Sequence, residues 1–308
     1  MLLDTASLYF RAFFGVPDSV TAPDGTPVNA VRGLVDFINR LVEEYSPTHL
    51  VCCWDNDWRP QWRVDLLPTY KAHRVVAEKP GPTPDVEEVP DPLQTQVPII
   101  LAVLEALGIA VVGADEHEAD DVIGTLATGA GMPVDIVTGD RDLFQLVDDD
   151  AEVRVLYIAR GVGKHERVTN DVVREKYAVD AEQYAAFATL RGDASDGLPG
   201  VAGVGDNTAA TLLARFGDLD AIIAAATDPD ADPEQKMGPG PRGKIKAALD
   251  YLAVAPQVVA VVRDLDLGDP DMLLPHAPAD PEMLAAIAEQ WGLSSPVERL
   301  TTTLAALG

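Results

Sequence analysis

The sequence predicts an α/β fold in which a mostly parallel central sheet is flanked by helices on both faces. Apolar runs typical of strands alternate with the i, i+3, i+4 spacing of amphipathic helices, in the order 31–45, 50–54, 97–107, 109–112, 119–128 and 134–137. This alternation favours parallel pairing, because a chain must cross back over the sheet before it can start a parallel neighbour. After about residue 170 the strand-like runs stop and short helices follow, which indicates a second, helical module.

Prolines interrupt the first module between about residues 60 and 95, where neither periodicity is found. We interpret this segment as a surface excursion from the sheet. We therefore divide the chain into an α/β core (1–170), a helical module (171–265) and a C-terminal helical tail (266–308). The helices expected in the last two units span 172–177, 181–190, 208–216, 219–226, 245–255 and 282–291.

The composition indicates a soluble protein. The chain has 308 residues, of which 47% are hydrophobic, and no apolar run reaches the roughly 18 residues that a membrane helix needs. Asp4 stands among the first apolar residues with no basic stretch before them, so the N-terminus does not resemble a signal peptide. The adjacent Cys52 and Cys53 lie in an apolar run and suit buried thiols in a reducing compartment. We expect a cytoplasmic monomer.

The charge balance opposes a nucleic-acid partner, since 23 basic against 50 acidic residues leave a formal net charge of −27. Three windows run against this total. Residues 59–79 hold five basic and two acidic side chains, 154–176 hold six and three, and 236–246 hold four and none. Chance clustering and a local track for phosphates are both open interpretations.

Acidic residues follow three of the predicted strands. Asp4 comes after Leu2-Leu3, Asp55 follows 50–54, and Asp140 and Asp142 follow 134–137. Because the carboxyl ends of parallel strands share one edge, where ligands bind, we expect these acids to converge. Five further acids lie at the start of a predicted helix or at the start of the second module, namely Glu118, Asp120, Asp121, Asp193 and Asp196.

These acids have two interpretations. Solvated acids at loop starts are common in so acidic a chain. Alternatively, acids gathered at a sheet rim repel one another unless cations bind between them. Oxygen ligands without histidine or cysteine suit Mg²⁺ or Mn²⁺. So many carboxylates favour a two-metal site, and such a site hydrolyses phosphodiesters with an activated water and no protein nucleophile.

Two further patterns are compatible with phosphate binding. The segment 200–205 has three glycines before a predicted helix, where backbone N–H groups can meet a phosphate, although a packed turn explains it equally well. Lys71 and Arg74 are three residues apart and share a face if their segment is helical. They form either a solvated face or a grip on the scissile phosphate.

With these residues in view, the sequence resembles the bacterial 5′-nuclease family. This family comprises the flap endonuclease and 5′→3′ exonuclease domain of DNA polymerase I and its free-standing relatives. Four segments match in the family's order: Leu2-Leu3-Asp4 with Tyr9-Phe10-Arg11-Ala12, EADDVIGTL at 118–126, TGDRD with QLV within 138–147, and GDASDGLPGVAGVG at 192–205. The segment 70–74, YKAHR, is similar to the family's Y-K-x-x-R. The resemblance covers residues 1 to about 260.

The resemblance implies a PIN-like nuclease core with a helical arch at about 60–95. It also implies structure-selective 5′ flap endonuclease and 5′→3′ exonuclease activity in replication and repair. The acids that match the family's ligands for two or three Mg²⁺ or Mn²⁺ ions are Asp4, Asp55, Glu118, Asp120, Asp121, Asp140, Asp142, Asp193 and Asp196. Lys71, Arg74 and Arg11 are expected to contact the phosphate under the arch, through which the 5′ single strand passes.

The segment 200–210 resembles the family's helix-three-turn-helix, which holds the duplex and in many members binds K⁺ through backbone oxygens. The DNA contacts expected from the resemblance are Tyr70, Gly200, Gly203, Gly205 and Thr208. The sequence departs from the family at Gly197, where asparagine is usual, and at Asn207, where lysine is usual. These departures affect the expected grip on the duplex and remove no metal ligand.

The expected substrate is DNA with 5′ flaps, nicks or 5′ ends. Since no polymerase domain follows, a separate DNA polymerase is the expected functional partner. Two other functions use part of the same pattern. A small-substrate phosphohydrolase shares the acids but leaves Lys71, Arg74 and the glycine segment unexplained. A non-enzymatic binder of DNA structures is expected to have lost several acids, and none is lost.

Overall fold

The computed structural model describes residues 1–77 and 85–308. Its strands are β1 (Leu2–Asp4), β2 (Val51–Trp54), β3 (Val75–Ala77), β4 (Val86–Glu87), β5 (Ala110–Gly113), β6 (Val134–Thr138), β7 (Val153–Tyr157) and β8 (Glu166–Val168). Six of them form one sheet in the order β5-β2-β1-β6-β7-β8, and β3 pairs with β4 in a separate hairpin. All pairs in the large sheet are parallel except β7 with β8.

Helices cover both faces of this sheet and form the second half of the chain. In the α/β core they are α1 (Thr5–Gly15), α2 (Asn29–Tyr45), α3 (Gln61–Leu66), α4 (Asp91–Gln94), α5 (Val97–Leu107) and α6 (Ala119–Ala127). The remaining helices are α7 (Asn170–Tyr177), α8 (Tyr184–Arg191), α9 (Asp206–Phe216), α10 (Leu219–Thr227), α11 (Pro239–Ala247), α12 (Leu249–Leu252), α13 (Ala255–Val259), α14 (Pro281–Gln290) and α15 (Ser294–Ala306). In the described residues, no helix is long and apolar enough to cross a membrane.

The predicted strands are confirmed as β1, β2, β5 and β6. The prediction omits β7 and β8, because Arg154 interrupts the apolar pattern of the first and two of the three residues of the second are charged. The predicted helix at 245–255 is wrong: this stretch belongs to α11, α12 and α13. Pro256 stands in the first turn of α13, where its missing N–H is tolerated and where a continuous helix would break.

Alternation along β1 divides the core between the two faces of the sheet. Leu2 packs with the cluster that includes Ile136 and continues into the helical module. Leu3 packs on the opposite face with Val137 and with α2 and α5. The buried leucines of α14 and α15, such as Leu300, belong to this second cluster. The C-terminal helices therefore pack against the sheet domain.

The segment expected to form a helical arch is only partly helical where it is described. It contains α3, a 3₁₀ turn at Ala72–Arg74, the β3–β4 hairpin and α4. Residues 78–84 of the expected arch lie outside the described residues. Lys71 has a left-handed backbone with φ of 46°. Residues three positions apart share a face only if their segment is helical. Lys71 and Arg74 therefore do not share an α-helical face here.

We expect Gly124→Ala to lower the free energy of unfolding by about 1–3 kcal/mol. A Cβ at this position of α6 would lie 2.6 Å from the Val262 carbonyl oxygen, so the helix would have to move. Gly243 in α11 is the control, because a Cβ there meets no described atom within 4 Å. Gly243→Ala is expected to raise the same quantity by about 0.5–1 kcal/mol. Urea unfolding measures both, and an equal response would contradict the packing described.

Candidate metal and nucleic-acid site

A cavity of about 1300 Å³ opens at the carboxyl edge of the central sheet. Asp4 ends β1, while Asp55 and Asp140 follow the neighbouring strands β2 and β6. Three more acids reach the same cavity from the start of α6 and from the helical module. The predicted acids that line it are thus Asp4, Asp55, Glu118, Asp120, Asp140 and Asp193. Glu87 of β4, which sequence reasoning missed, lines it as well. Of the nine predicted acids, Asp121, Asp142 and Asp196 are outside this lining.

Thr138 joins two of the lining acids. Its hydroxyl donates to Asp4 Oδ2 over 2.6 Å and accepts from the backbone N–H of Asp140 over 2.9 Å. Asp4 also accepts from the backbone N–H of Ser7, which makes it the N-cap of α1. Thr138 is fully buried at the end of β6. Thr138 therefore positions the Asp4 carboxylate and the Asp140 backbone together at the end of β6.

Glu118 is the most highly connected acid of the cavity. It is the N-cap of α6, and it accepts from the Tyr70 hydroxyl and from Lys71 Nζ, each over 2.7 Å. The Glu118 carboxylate raises the pKa of Lys71 well above its ordinary value, although burial opposes this. Tyr70 is 3% exposed. We therefore reassign Tyr70 from a DNA contact to a residue that positions Glu118.

Asp121 has a structural partner instead of a place in the cavity. Arg63 holds both of its carboxylate oxygens, with distances of 2.8 and 2.7 Å, and the backbone N–H of Val262 donates to it as well. Asp121 also receives the backbone N–H of Glu118 in a capping box at the start of α6. With these partners it has no oxygen free for a metal ion.

The remaining acids connect the helical module to the sheet. Asp193 accepts from the backbone N–H of Ser195 over 2.8 Å and lies 3.3 Å from Arg191. Asp196 lies 3.5 Å from Arg74. Asp142 is 8% exposed, and its Oδ1 has no hydrogen-bond partner among the described residues. A buried carboxylate oxygen without a donor is costly unless a cation binds it.

The acids carry more negative charge than their surroundings neutralise. Burial, together with the charge of Asp4, raises the pKa of Asp55 to about 7. Burial and neighbouring carboxylates also raise the pKa of Asp120 and of Asp142. In residues 1–77 and 85–308, no three acidic, cysteine or histidine side chains are already gathered as a metal cluster. The oxygen-only donor set nevertheless fits a hard divalent cation once side chains turn toward it.

The structure divides the basic windows into paired and unpaired cations. In the first window, Arg59 and Arg63 are buried partners of Asp85 and Asp121, so they are not part of a phosphate track. Lys71 and Arg74 line the cavity. In the second window, Arg160 and Lys164 line it as well, whereas the other four cations pair with surface acids. Sequence reasoning missed Arg63 as a structural residue, because its partner is 58 positions away.

The glycine segment is a tight turn between α8 and α9. Gly200 and Gly203 have positive φ angles of 67° and 75°. A Cβ on Gly200 would lie 2.5 Å from the Arg191 carbonyl oxygen, so only glycine allows this approach. Lys244 of α11 donates to the Gly203 carbonyl over 2.7 Å. Gly205 caps α9 and Thr208 lies in its first turn.

The fold and the site together define the class of this protein. It has an α/β domain with an acidic strand edge, followed by a compact helical module. The model for the 5′-3′ exonuclease N-terminal resolvase-like domain matches residues 1–178. The model for the 5′-3′ exonuclease C-terminal SAM fold matches residues 179–281. The chain belongs to the 5′-3′ exonuclease family.

Curated relatives match the whole chain. A 5′-3′ exonuclease of Streptomyces coelicolor is 61% identical over 306 residues, which is 99% of this chain and 100% of the relative. A 5′-3′ exonuclease of Mycobacterium tuberculosis is 51% identical, covering 99% of this chain and 97% of the relative. DNA polymerase I of Mycobacterium bovis is 37% identical over 100% of this chain and 32% of the polymerase.

Solved structures have the same fold. The bacteriophage T5 D15 flap endonuclease, in a complex with DNA and metal ions, has a TM-score of 0.64 at 18% identity, covering 100% of this chain and 98% of that chain. The catalytic core of Rad2 with a DNA substrate has a TM-score of 0.60 at 18% identity and covers 100% and 92%.

We expect Arg63→Met to lower the free energy of unfolding by about 3–5 kcal/mol, because Asp121 would remain buried without its cation. The two side chains are 3% and 0% exposed. Arg174→Met, which removes an exposed partner of Asp180, is the matched control and should not measurably change stability. Denaturant unfolding compares the two variants. A similar result for both would show that the buried pair is not a major stabilising contact.

Proposed function

We propose that the protein is a divalent-metal-dependent 5′ nuclease that hydrolyses DNA phosphodiesters at 5′ flaps, nicks and 5′ ends in replication and repair. The observation that carries this proposal is the cavity at the strand ends, which seven carboxylates line together with Lys71, Arg74 and Arg11. A site with both kinds of charge suits metal ions and a phosphate together. The name that two full-length relatives carry, 5′-3′ exonuclease, supports the same activity.

The ions we infer are Mg²⁺ or Mn²⁺, two or three in number. The proposed ligands exclude Asp121, since Arg63 occupies its oxygens, and comprise Asp4, Asp55, Glu118, Asp120, Asp140, Asp142, Asp193 and Asp196. The donorless Oδ1 of Asp142 and the raised carboxyl pKa values beside it support this assignment. Bound ions would supply an activated water and would neutralise charge on the leaving oxygen.

The cationic residues are placed to hold the scissile phosphate. Lys71 Nζ is 2.7 Å from Glu118, and it would be available to a phosphate oxygen if Glu118 held a metal ion. Arg74 is held by the Ser195 carbonyl over 2.8 Å and faces the cavity. Arg11 lines the cavity from α1, and its buried Nε has no partner in the described residues. We propose that these three side chains bind and orient the phosphate.

The glycine turn is the proposed duplex contact. Gly200, Gly203 and Gly205 lie in the turn that leads into α9, and Thr208 lies in its first turn, where the N-terminus of the helix favours a phosphate. Lys244 adds an ammonium group at the same turn, on the carbonyl of Gly203. We propose that Lys244 takes the role of the lysine that the family usually has at the position of Asn207. Contacts to the sugar-phosphate backbone select structure without reading base sequence.

We further propose that the enzyme acts as a cytoplasmic monomer beside a separate DNA polymerase. The lengths of the relatives support this proposal: the match covers 32% of the polymerase I relative, whereas two relatives of the length of this chain are named 5′-3′ exonuclease. A K⁺ ion at the glycine turn also stays a proposal, and it would share the turn's carbonyl oxygens with Lys244. Loss of DNA repair on gene deletion, restored by this chain alone, would support the pairing with a polymerase.

Asp140→Asn is expected to reduce cleavage of a 5′-flapped duplex in Mg²⁺ by at least about 100-fold, because it removes a carboxylate from the metal site. Cleavage by the unmodified protein should also stop in EDTA and return with Mg²⁺ or Mn²⁺. Calorimetric titration with Mg²⁺ provides a second readout, in which the variant should bind fewer ions or bind them more weakly. Asp150→Asn, an exposed acid outside the cavity, is the control.

The possible outcomes separate the candidate functions. Metal-dependent cutting at the flap junction that Asp140→Asn removes would establish the nuclease. Selective binding of flapped DNA without cutting in either metal would instead indicate a DNA-structure binder. Neither binding nor cutting, with turnover of nucleotides or sugar phosphates, would indicate a small-substrate phosphohydrolase.

Lys244→Gln should weaken binding to blunt duplex DNA several-fold in EDTA. It should also make the slope of log affinity against log salt shallower by about 1, since one phosphate contact is lost. Lys236→Gln is the matched control, because Lys236 already pairs with Glu234 over 3.0 Å. Fluorescence anisotropy across a salt series measures both quantities. An unchanged slope for Lys244→Gln would remove Lys244 from the duplex contact.

A further inference from the structure

We propose that Glu87 is a specificity-determining residue, which makes the site hold a phosphodiester of the substrate in preference to the phosphomonoester of the product. This inference rests on the proposed nuclease function. In that reaction water adds to the phosphorus, the P–O3′ bond breaks and the 3′ oxygen takes a proton. The other strand end then keeps the phosphate as a 5′-monoester.

The β3–β4 hairpin places Glu87 beside one of the proposed phosphate-binding cations. Glu87 is in register with Val75, the residue after Arg74. The backbone N–H of Glu88 donates to the Arg74 carbonyl over 2.9 Å. Successive residues of a strand point to opposite faces, and accordingly Glu87 lines the cavity while Glu88 is exposed outside its lining. The two glutamates therefore have the same charge but different access to the cavity.

Buried contacts anchor the hairpin to the core. Asp85, which precedes β4, pairs with Arg59, and the two side chains are 10% and 4% exposed. The Asp85 carbonyl also accepts from Trp58 Nε1 over 2.8 Å. The Glu87 carboxylate, by contrast, has no hydrogen bond or ion pair with any residue in 1–77 or 85–308. Its position is thus set by its neighbours, and its charge is not neutralised by a direct partner.

The negative charge of Glu87 lies near the proposed phosphate position. Burial raises the pKa of Glu87, and the positive charges of Arg74 and Lys71 oppose this shift. These two cations line the same cavity, where the Ser195 carbonyl accepts from Arg74 over 2.8 Å. The six other acids of the lining are proposed metal ligands, and Glu87 is not. It therefore keeps its negative charge when those ligands are neutralised by their ions.

A fixed negative charge discriminates between ligands by their charge. A phosphodiester carries one negative charge, whereas a phosphomonoester carries about 1.5 to 2 at neutral pH. Because the Coulomb energy is proportional to the charge of the ligand, a weakening of about threefold for the diester becomes up to about tenfold for a dianionic monoester. Repulsion from Glu87 therefore favours release of the product over release of the substrate.

The first test measures binding to a nicked duplex in EDTA, where no cleavage is expected, at about pH 8, where the monoester is dianionic. One ligand has a 5′-phosphate at the nick, and the other has the methyl ester of that phosphate, which carries one charge less. Glu87→Gln should tighten binding of the methyl ester about threefold and of the free phosphate about tenfold. Fluorescence anisotropy measures both affinities, whose ratio should thus shift about threefold.

Two control variants separate the position of the charge from its loss. Glu88→Gln removes the same charge from the exposed neighbour and should leave the affinity ratio unchanged. Glu87→Asp keeps the charge and should keep the ratio of the unmodified protein. An unchanged ratio in Glu87→Gln overturns the proposal, and so does an equal gain for both ligands. A similar shift in Glu88→Gln would show an effect of net charge and would overturn it as well.

A second readout follows product inhibition during cleavage of a flapped duplex in Mg²⁺. In Glu87→Gln, the inhibition constant of the 5′-phosphorylated product should fall about threefold more than KM does. Equal falls of the two constants would show that Glu87 does not discriminate between product and substrate. Absence of cutting by the unmodified protein would refute the nuclease proposal, while the affinity ratio in EDTA would still decide whether Glu87 selects phosphates by charge.

Discussion

The site depends on one constraint, the crowding of buried carboxylates at one edge of a parallel sheet. Parallel pairing of β1 with β2 and β6 brings Asp4, Asp55 and Asp140 to the same edge. Like charges held together out of water repel, and the chain relieves this with cations of its own. Lys71 and Arg74 reach in from the excursion, and Arg191 from the helical module. Ion pairs thus connect the excursion to the acids at the sheet edge.

This constraint also accounts for how a strongly acidic chain can act on a polyanion. Net charge describes the field far from the molecule, whereas a substrate meets local potentials that salt screens over about 10 Å. The charges of Arg59 and Arg63 are neutralised inside the structure by buried carboxylates. Among the cations of residues 1–77 and 85–308 that remain unpaired, several line the cavity. A window count along the sequence does not distinguish these two uses of a basic residue, because pairing is decided in three dimensions.

Much of the fold and the outline of the site can be predicted from local sequence pattern. The apolar runs indicate β2, β5 and β6, and the acids after them indicate the edge where the cavity lies. Local pattern does not indicate long-range partners. Asp121 and its neighbour Asp120 look alike in sequence, yet Arg63 binds one while the other lines the cavity. Nor does spacing reveal the left-handed backbone at Lys71.

Glu118 shows how structure and proposed function are joined at one side chain. It caps α6, and it holds both Tyr70 and Lys71. The ammonium group of Lys71 thus balances the charge of the Glu118 carboxylate, which a divalent cation could balance instead. On the proposed function, Glu118 would help to hold a metal ion, and Lys71 would then be available to a phosphate of the substrate. Metal binding and phosphate binding would be coupled in this way through the ion pair of Glu118 and Lys71, because one carboxylate cannot neutralise both cations equally.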